Sequence, residues 1–283
     1  MNGSMLTNKI KVIVFDFDGT LYQDTHHFDF YARRLQAKLT FEKQDLFWGD
    51  YQLALQGKHT LRIGRLYDAE RDIVLVQQNH TVQESYDWEG NRKSEAETKD
   101  LYSTPVTIDQ IKIISVGDLW WLPAAIASHY GLSLKGSYEA FLETRSYMMG
   151  ANFSMEKVPG FKEALLGLKK KGFNLALLTN SPETDSEVIL SKLGFEHLFE
   201  MKVFEGQKPS LTQERFQEIK DYFQVEFCEM LSIGDNWINE ILPATELGCS
   251  TILIDAYSVS EISHADRIVR DIIELIPLLD QIK

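Results

Sequence analysis

The sequence predicts an α/β protein: a doubly wound parallel sheet interrupted by an inserted, mostly helical domain. Three observations carry this expectation. Short β-branched runs ending in acids or polar residues recur at 11–17 ("KVIVFDF"), 174–180 ("NLALLTN"), 229–235 ("EMLSIGD") and 250–255 ("STILID"), and each reads as a buried parallel strand. From residue 157 onward, helix-like and strand-like stretches alternate, the signature of a parallel sheet covered on both faces. Between the first run and the others lies a long block of different texture, residues 21–156.

Inside that block, residues 26–57 look helical ("FYARRLQAKLTF", "DLFWGDYQLALQG"). Residues 72–92 read as two strands around an Asn-His turn, a β-hairpin, with a helix as the alternative. "GNRKSEAETKD" (90–100) reads as a charged, solvated loop, and residues 122–131 and 137–150 look helical again. Downstream, "GFKEALLGLKKKG" (160–172) has apolar residues at 161, 164, 165 and 168, lysines in its last turn and a closing glycine, the marks of an amphipathic helix and its end. Further helices are expected near 183–194, 212–223 and 238–247. The predicted organisation is therefore a core domain of residues 1–20 and 157–283, with residues 21–156 inserted as a second domain.

At 283 residues, 44% apolar and 25% charged, the composition is that of an ordinary globular protein with ample length for a core. The net charge is −13, and neither part hides a basic surplus. Residues 21–156 hold 14 Lys/Arg against 19 Asp/Glu, and the remainder holds 15 against 23. This argues against nucleic-acid binding, while a pocket for a small anion needs only one or two cations and oriented amides. Cys228 and Cys249 lack metal-ligand spacing and read as reduced thiols. No run is long enough for a membrane span, no basic segment leads into a long apolar one at the start, and the expected compartment is the cytoplasm. Monomer and dimer are both compatible with the sequence.

The densest chemical signal is "VFDFDGTLY" (14–22). Asp16 and Asp18 are two apart at a strand end, so both side chains point the same way. Ligands of open α/β sheets bind at the carboxyl ends of the strands, which puts both acids at the expected crevice. Gly19 permits a sharp turn, and Thr20 is expected to fix it through its hydroxyl. Two acids so close repel, and a metal or a proton resolves the repulsion. An Asp-rich turn is the plain alternative. Thr179 and Asn180 end the second run, Lys208 stands in "GQKPS", and Asp235 opens "GDNWINE". Singly these are a helix cap, a surface lysine and a turn acid; in a parallel sheet their strand ends converge on one edge.

This ordered set resembles the haloacid dehalogenase (HAD) superfamily of phosphotransferases. The matching residues are D-x-D-G-T at 16–20, T-N at 179–180, K-P at 208–209 and G-D-x-x-x-N-E at 234–240. The resemblance implies a Rossmann-like core, a cap domain in the position of the insertion and a Mg2+ cofactor. Asp16 would be the nucleophile, and Asp18 the general acid and then base. The carboxylates of Asp16 and Asp235 with the backbone carbonyl of Asp18 would hold Mg2+. Thr179, the Asn180 backbone N–H and Lys208 would bind phosphoryl oxygens. Relatives commonly carry aspartate where this chain has Glu240; Glu240 is expected to accept from a metal-bound water or to orient Lys208, with Thr20 and Asn239 as further supporting residues.

The function so implied is a Mg2+-dependent phosphatase acting on a small phosphorylated metabolite, a sugar phosphate, nucleotide or phospho-acid. A phosphomutase shares every core motif, and a non-catalytic binding protein on the same fold is the third reading. Asp18 favours phosphate esters, because family members that cleave carbon–halogen bonds usually lack an acid there. Substrate choice should lie in the cap, with Arg33, Arg34, Arg62, Arg65, Trp120, Trp121 and the His26–His27 pair as candidate contacts against ordinary surface or core roles. "SVGDLWW" echoes "SIGDNWINE", but Asp118 leads into no oxygen ligand, so it reads as the opening of a helix.

Overall fold

The computed structural model describes residues 10–258 and 264–282. The chain divides into two compact units, one formed by residues up to Asp24 together with Met148 onward, the other by Thr25–Tyr147. The first unit starts with β1 (Val12–Phe15), whose four residues are all buried.

In the second unit, α1 (His26–Lys38) and α2 (Phe41–Leu55) precede a four-stranded antiparallel sheet. Its strands are β2 (Arg65–Asp68), β3 (Ile73–Gln78), β4 (Thr81–Tyr86) and, after α3 (Glu95–Leu101), β5 (Ile113–Val116), in the order β4-β3-β2-β5. The hairpin around Asn79–His80 is present, and both turn residues take positive φ, 48° and 64°, as a tight strand-matching turn requires. The sheet is wider than the hairpin read from sequence, because β2 and β5 extend it on one side. The stretch read as a loop at 90–100 also contains α3. Its start is a capping box, Ser94 Oγ accepting from Glu97 N–H while the Glu97 side chain accepts from Ser94 N–H, which satisfies two helix-end donors at once.

Two more helices, α4 (Trp121–His129) and α5 (Leu134–Met149), complete the insertion. Asp118 caps α4, its Oδ1 accepting from Trp120 N (2.8 Å) and Trp121 N (3.1 Å). Several candidates of the insertion have partners within their own unit. The Arg33 guanidinium lies 3.3 Å from the Trp48 ring centroid, Arg34 pairs with Glu143, and Arg65 Nη1 donates to Thr60 O (2.6 Å). Trp120 packs among His27, Phe28, Tyr31 and Phe141.

The first unit resumes with α6 (Phe161–Lys170), whose Phe161, Ala164, Leu165 and Leu168 form its buried stripe. There follow β6 (Asn174–Leu178), α7 (Glu183–Leu193), β7 (Met201–Val203), α8 (Thr212–Phe223) and β8 (Met230–Gly234). A π-helical turn (Trp237–Ile241) leads into α9 (Leu242–Glu246), β9 (Ser250–Ile254), β10 (Arg267–Val269) and α10 (Ile272–Gln281). The six strands form one parallel sheet in the order β10-β9-β8-β1-β6-β7. The chain thus steps outward from β1 to one side, then returns to build the other. That makes β1 the switch point, where ligands of such sheets bind.

Leu21–Asp24 and Met148–Glu156, read from sequence as part of the insertion, group with the first unit. Hydrogen bonds hold both segments there. Gln23 Oε1 accepts from Ile272 N (2.9 Å), Asp24 Oδ2 accepts from Glu156 N (2.7 Å), and Lys192 Nζ donates to the carbonyls of Met148, Gly150 and Phe153. No helix among the described residues is long and apolar enough to cross a membrane.

Candidate active site

Register brings the motif residues together. Phe15 of β1 pairs with Leu177 of β6 on one side and Ile233 of β8 on the other. Asp16 directly, and Thr179 and Asp235 one residue further on, therefore leave the sheet at one edge. Asp16 N still donates to Ile233 O (2.9 Å), so its backbone continues the ladder while its side chain enters the site.

The centre is a buried charge cluster. Lys208 Nζ lies 2.5 Å from Asp16 Oδ1 and 2.6 Å from Glu240 Oε1. The Lys208 and Glu240 side chains are 2% and 5% exposed, so solvent hardly screens the pair. Burial pulls the Lys208 ammonium down, but the charges and hydrogen bonds of Asp16 and Glu240 outweigh it and hold the group above the usual lysine range. Asp16 is raised above the ordinary carboxylate range, chiefly by burial; the Lys208 charge opposes the rise and Asp18 adds to it. Glu240 Oε2 accepts from Asn236 N (2.9 Å), so both oxygens of Glu240 are engaged. A side chain on Gly234 would collide with it, an added Cβ lying 2.7 Å from Glu240 Cβ and Cγ.

Asp235 lies against Gly19, whose φ is 79° and whose added Cβ would sit 2.1 Å from Asp235 Oδ2. Only glycine fits there in both conformation and space. Carboxylate oxygens of Asp16, Asp235 and Glu240 lie within 4.8 Å of one another. This set suits a hard divalent cation. The donors are oxygens, and Asp16, Asp235 and Glu240 outnumber the single ammonium that touches two of them.

The turn after Asp18 is closed by the backbone, with Thr20 N and Leu21 N both donating to Phe17 O (3.3 and 2.9 Å). The Thr20 hydroxyl does not fix it as expected: Thr20 Oγ1 is buried with no hydrogen-bond partner among the described residues. Thr179 Oγ1 accepts from Ser181 N (3.0 Å), and its own O–H remains able to donate. Asn180 does something the sequence did not signal. Its side chain grips the main chain of Lys208 from both sides, Nδ2 donating to Lys208 O (2.9 Å) and Oδ1 accepting from Lys208 N (2.7 Å). Asn239 contributes its backbone O to Thr212 Oγ1 (2.9 Å), while its Oδ1 is buried without a partner among the described residues. The cap of this turn is Asn236, whose Oδ1 accepts from Ile238 N and Asn239 N (3.2 Å each).

Two further hydroxyls reach the second acid: Ser181 Oγ donates to Asp18 Oδ2 (2.8 Å) and Tyr22 OH donates to Asp18 Oδ1. Neither stood out in the sequence. Ser181 directly follows the T-N pair and Tyr22 closes "DGTLY", positions that local patterning reads as a helix start and a core aromatic.

A family model described as haloacid dehalogenase-like hydrolase matches residues 10–248. The chain belongs to the haloacid dehalogenase-like hydrolases. It is 30% identical over 96 residues to a phosphoglycolate phosphatase of Haemophilus influenzae (strain 86-028NP), covering 33% of this chain and 42% of the relative. It is 28% identical over 127 residues to a phosphoglycolate phosphatase of Mannheimia succiniciproducens, covering 43% and 56%. The matches thus span about half the length of these relatives. Among solved structures, a predicted phosphoglycolate phosphatase from Haemophilus somnus 129PT superposes over 95% of this chain and 98% of its own, at 18% identity and a TM-score of 0.52. YfnB of Bacillus subtilis, assigned as a HAD-hydrolase and bound to magnesium, covers 96% and 99% at 15% identity and a TM-score of 0.53. These structural likenesses concern the fold. The hydrolase therefore carries a HAD core, and the strand ends that bear Asp16, Thr179 and Asp235 are the place to seek its chemistry.

Proposed function

We propose that this hydrolase is a Mg2+-dependent phosphatase of small phosphorylated metabolites that works through an aspartyl-phosphate on Asp16. The observation that carries this reading is the Lys208 ammonium held between Asp16 and Glu240, with Asp18 two residues from the nucleophile. Asp16 and Asp235, with the backbone carbonyl of Asp18, would hold the ion. When bound, Mg2+ offsets repulsion between the anionic nucleophile and an anionic phosphoryl group.

Asp16 attacks phosphorus, the bond to the leaving oxygen breaks, and that oxygen takes the proton of Asp18. Water then bonds to phosphorus, gives its proton to Asp18, and the Asp16–phosphorus bond breaks to release phosphate. Thr179, the Asn180 backbone N–H and Lys208 bind the phosphoryl oxygens where transition-state charge accumulates. Glu240 orients Lys208, and Asn180 fixes the main chain from which Lys208 extends. Substrate choice is assigned to the insertion, as the family resemblance implies. Asp18 favours a phosphate ester over a carbon–halogen bond, since a departing halide needs no proton.

The relatives named as phosphoglycolate phosphatases make 2-phosphoglycolate the first compound to assay, beside sugar phosphates and nucleotides. Phosphate release from at least one member of such a panel is expected, falling at least about tenfold on chelation and returning with Mg2+. Release indifferent to chelation contradicts the metal assignment. Activation by a bisphosphate without net phosphate release would instead identify a phosphomutase.

A further inference from the structure

The proposed reaction needs one carboxyl, Asp18, to give a proton in the first half and take one in the second. Two hydroxyls hold that carboxyl, one on each oxygen: Ser181 Oγ on Oδ2 at 2.8 Å and Tyr22 OH on Oδ1. Both are themselves fixed. Ser181 is buried, its N–H donating to Thr179 Oγ1 (3.0 Å) and its O accepting from Glu205 N (3.1 Å). Tyr22 is buried with its ring edge-on to Phe17 at 5.6 Å, and its backbone forms a β-bridge with that of Asp18.

We propose that Ser181 and Tyr22 are positioning residues for the acid–base step, aiming the Asp18 carboxyl at the leaving oxygen through both halves of the reaction. The inference rests on the phosphatase reading above. Hydroxyls suit this task because each both donates and accepts. When Asp18 is a carboxylate, both O–H groups donate to it. When Asp18 carries the proton, one bond reverses and the carboxyl O–H donates to a hydroxyl oxygen. An ammonium or guanidinium in either place could only donate, and would oppose the protonated form. Ser181 adds a link that Tyr22 lacks, since one residue touches both Asp18 and the Thr179 hydroxyl proposed to bind phosphate.

The chemistry sets the test. As the phosphorus–oxygen bond breaks, a basic phenolate needs the Asp18 proton, whereas p-nitrophenolate leaves well without it. Loss of aim on Asp18 therefore slows phenyl phosphate selectively. The measurement is kcat on phenyl phosphate and p-nitrophenyl phosphate for wild type, Ser181→Ala, Tyr22→Phe, Ser181→Thr, Asp18→Asn and Asp16→Asn. Ser181→Ala and Tyr22→Phe each remove a hydroxyl and little volume. Each is expected to lower kcat on phenyl phosphate about tenfold, a part of what general acid catalysis supplies, and to leave p-nitrophenyl phosphate within about twofold. Ser181→Thr keeps the hydroxyl and is expected to restore the wild-type ratio. Asp18→Asn should show the largest ratio, and Asp16→Asn should lose both substrates. Equal loss on the two substrates, or no loss on either, in Ser181→Ala and Tyr22→Phe overturns the positioning role while the Asp16 and Asp18 variants leave the mechanism standing. Activity surviving in Asp16→Asn overturns the phosphatase reading and the inference with it.

Discussion

Asp16→Asn is expected to abolish phosphate release, by at least about 10³-fold in kcat, the scale seen when a covalent nucleophile is removed. The amide is nearly the same size, so the fold should persist. Its neutral nitrogen cannot attack phosphorus, and the amide also removes one of the charges that face Lys208. The variant should therefore melt close to the wild type while losing turnover on every compound in the panel. Turnover near the wild-type rate would mean that the phosphoryl group never bonds to this residue.

Lys208→Met carries the second large effect, in two observables that diverge. Substitution leaves Asp16 and Glu240 in a buried site without the ammonium that lies 2.5 and 2.6 Å from them. Breaking one partner of such a buried set costs about 3–5 kcal/mol, because the remaining charges stay uncompensated. Urea denaturation in chelator should read that loss. Activity should fall by about 10²–10³-fold, as when one donor to developing transition-state charge is removed. Adding Glu240→Gln separates the two effects. The double variant should regain part of the stability, since one uncompensated charge is gone, and none of the activity, since the cation is still missing. A Lys208→Met chain as stable and as active as wild type would contradict both roles.

Much of this site was legible in sequence because a parallel sheet converts order along the chain into proximity at one edge. The acids after β1, the Thr179–Asn180 pair after β6 and Asp235 after β8 each sit next to a buried apolar run, and register does the rest. The two S-[VI]-G-D stretches also separate as their followers suggested. Asp118 caps α4 inside the insertion, whereas Asp235 lies beside Gly19 near Asp16.

What escaped depends on partners far away in the chain. The Ser181 hydroxyl is 163 residues from Asp18, and the Asn180 amide is 28 from Lys208. No periodicity within a window carries such a pairing. α3 is a different case, since its S-x-x-E start was present at Ser94–Glu97 but lay in a run whose charge suggested solvent. β2 is four residues of mixed character ending in Asp68, and only its pairing with β3 and β5 makes it a strand. Glu240 fell between these extremes. Its contact with Lys208 was among the expected alternatives, whereas its acceptance from Asn236 N–H was not and goes with the close approach of the Gly234 backbone.

The most direct test of the central claim is to catch the phosphoryl group on the enzyme. Wild-type protein mixed with a turned-over phosphate ester and Mg2+, quenched in acid during the first turnovers and reduced with borohydride, should be sequenced by mass spectrometry. An acyl phosphate on Asp16 is reduced to the alcohol, so a homoserine signal at position 16, absent without substrate, is the predicted result. Single-turnover phosphate release with no modification at position 16, or with the modification on another carboxylate, would contradict it.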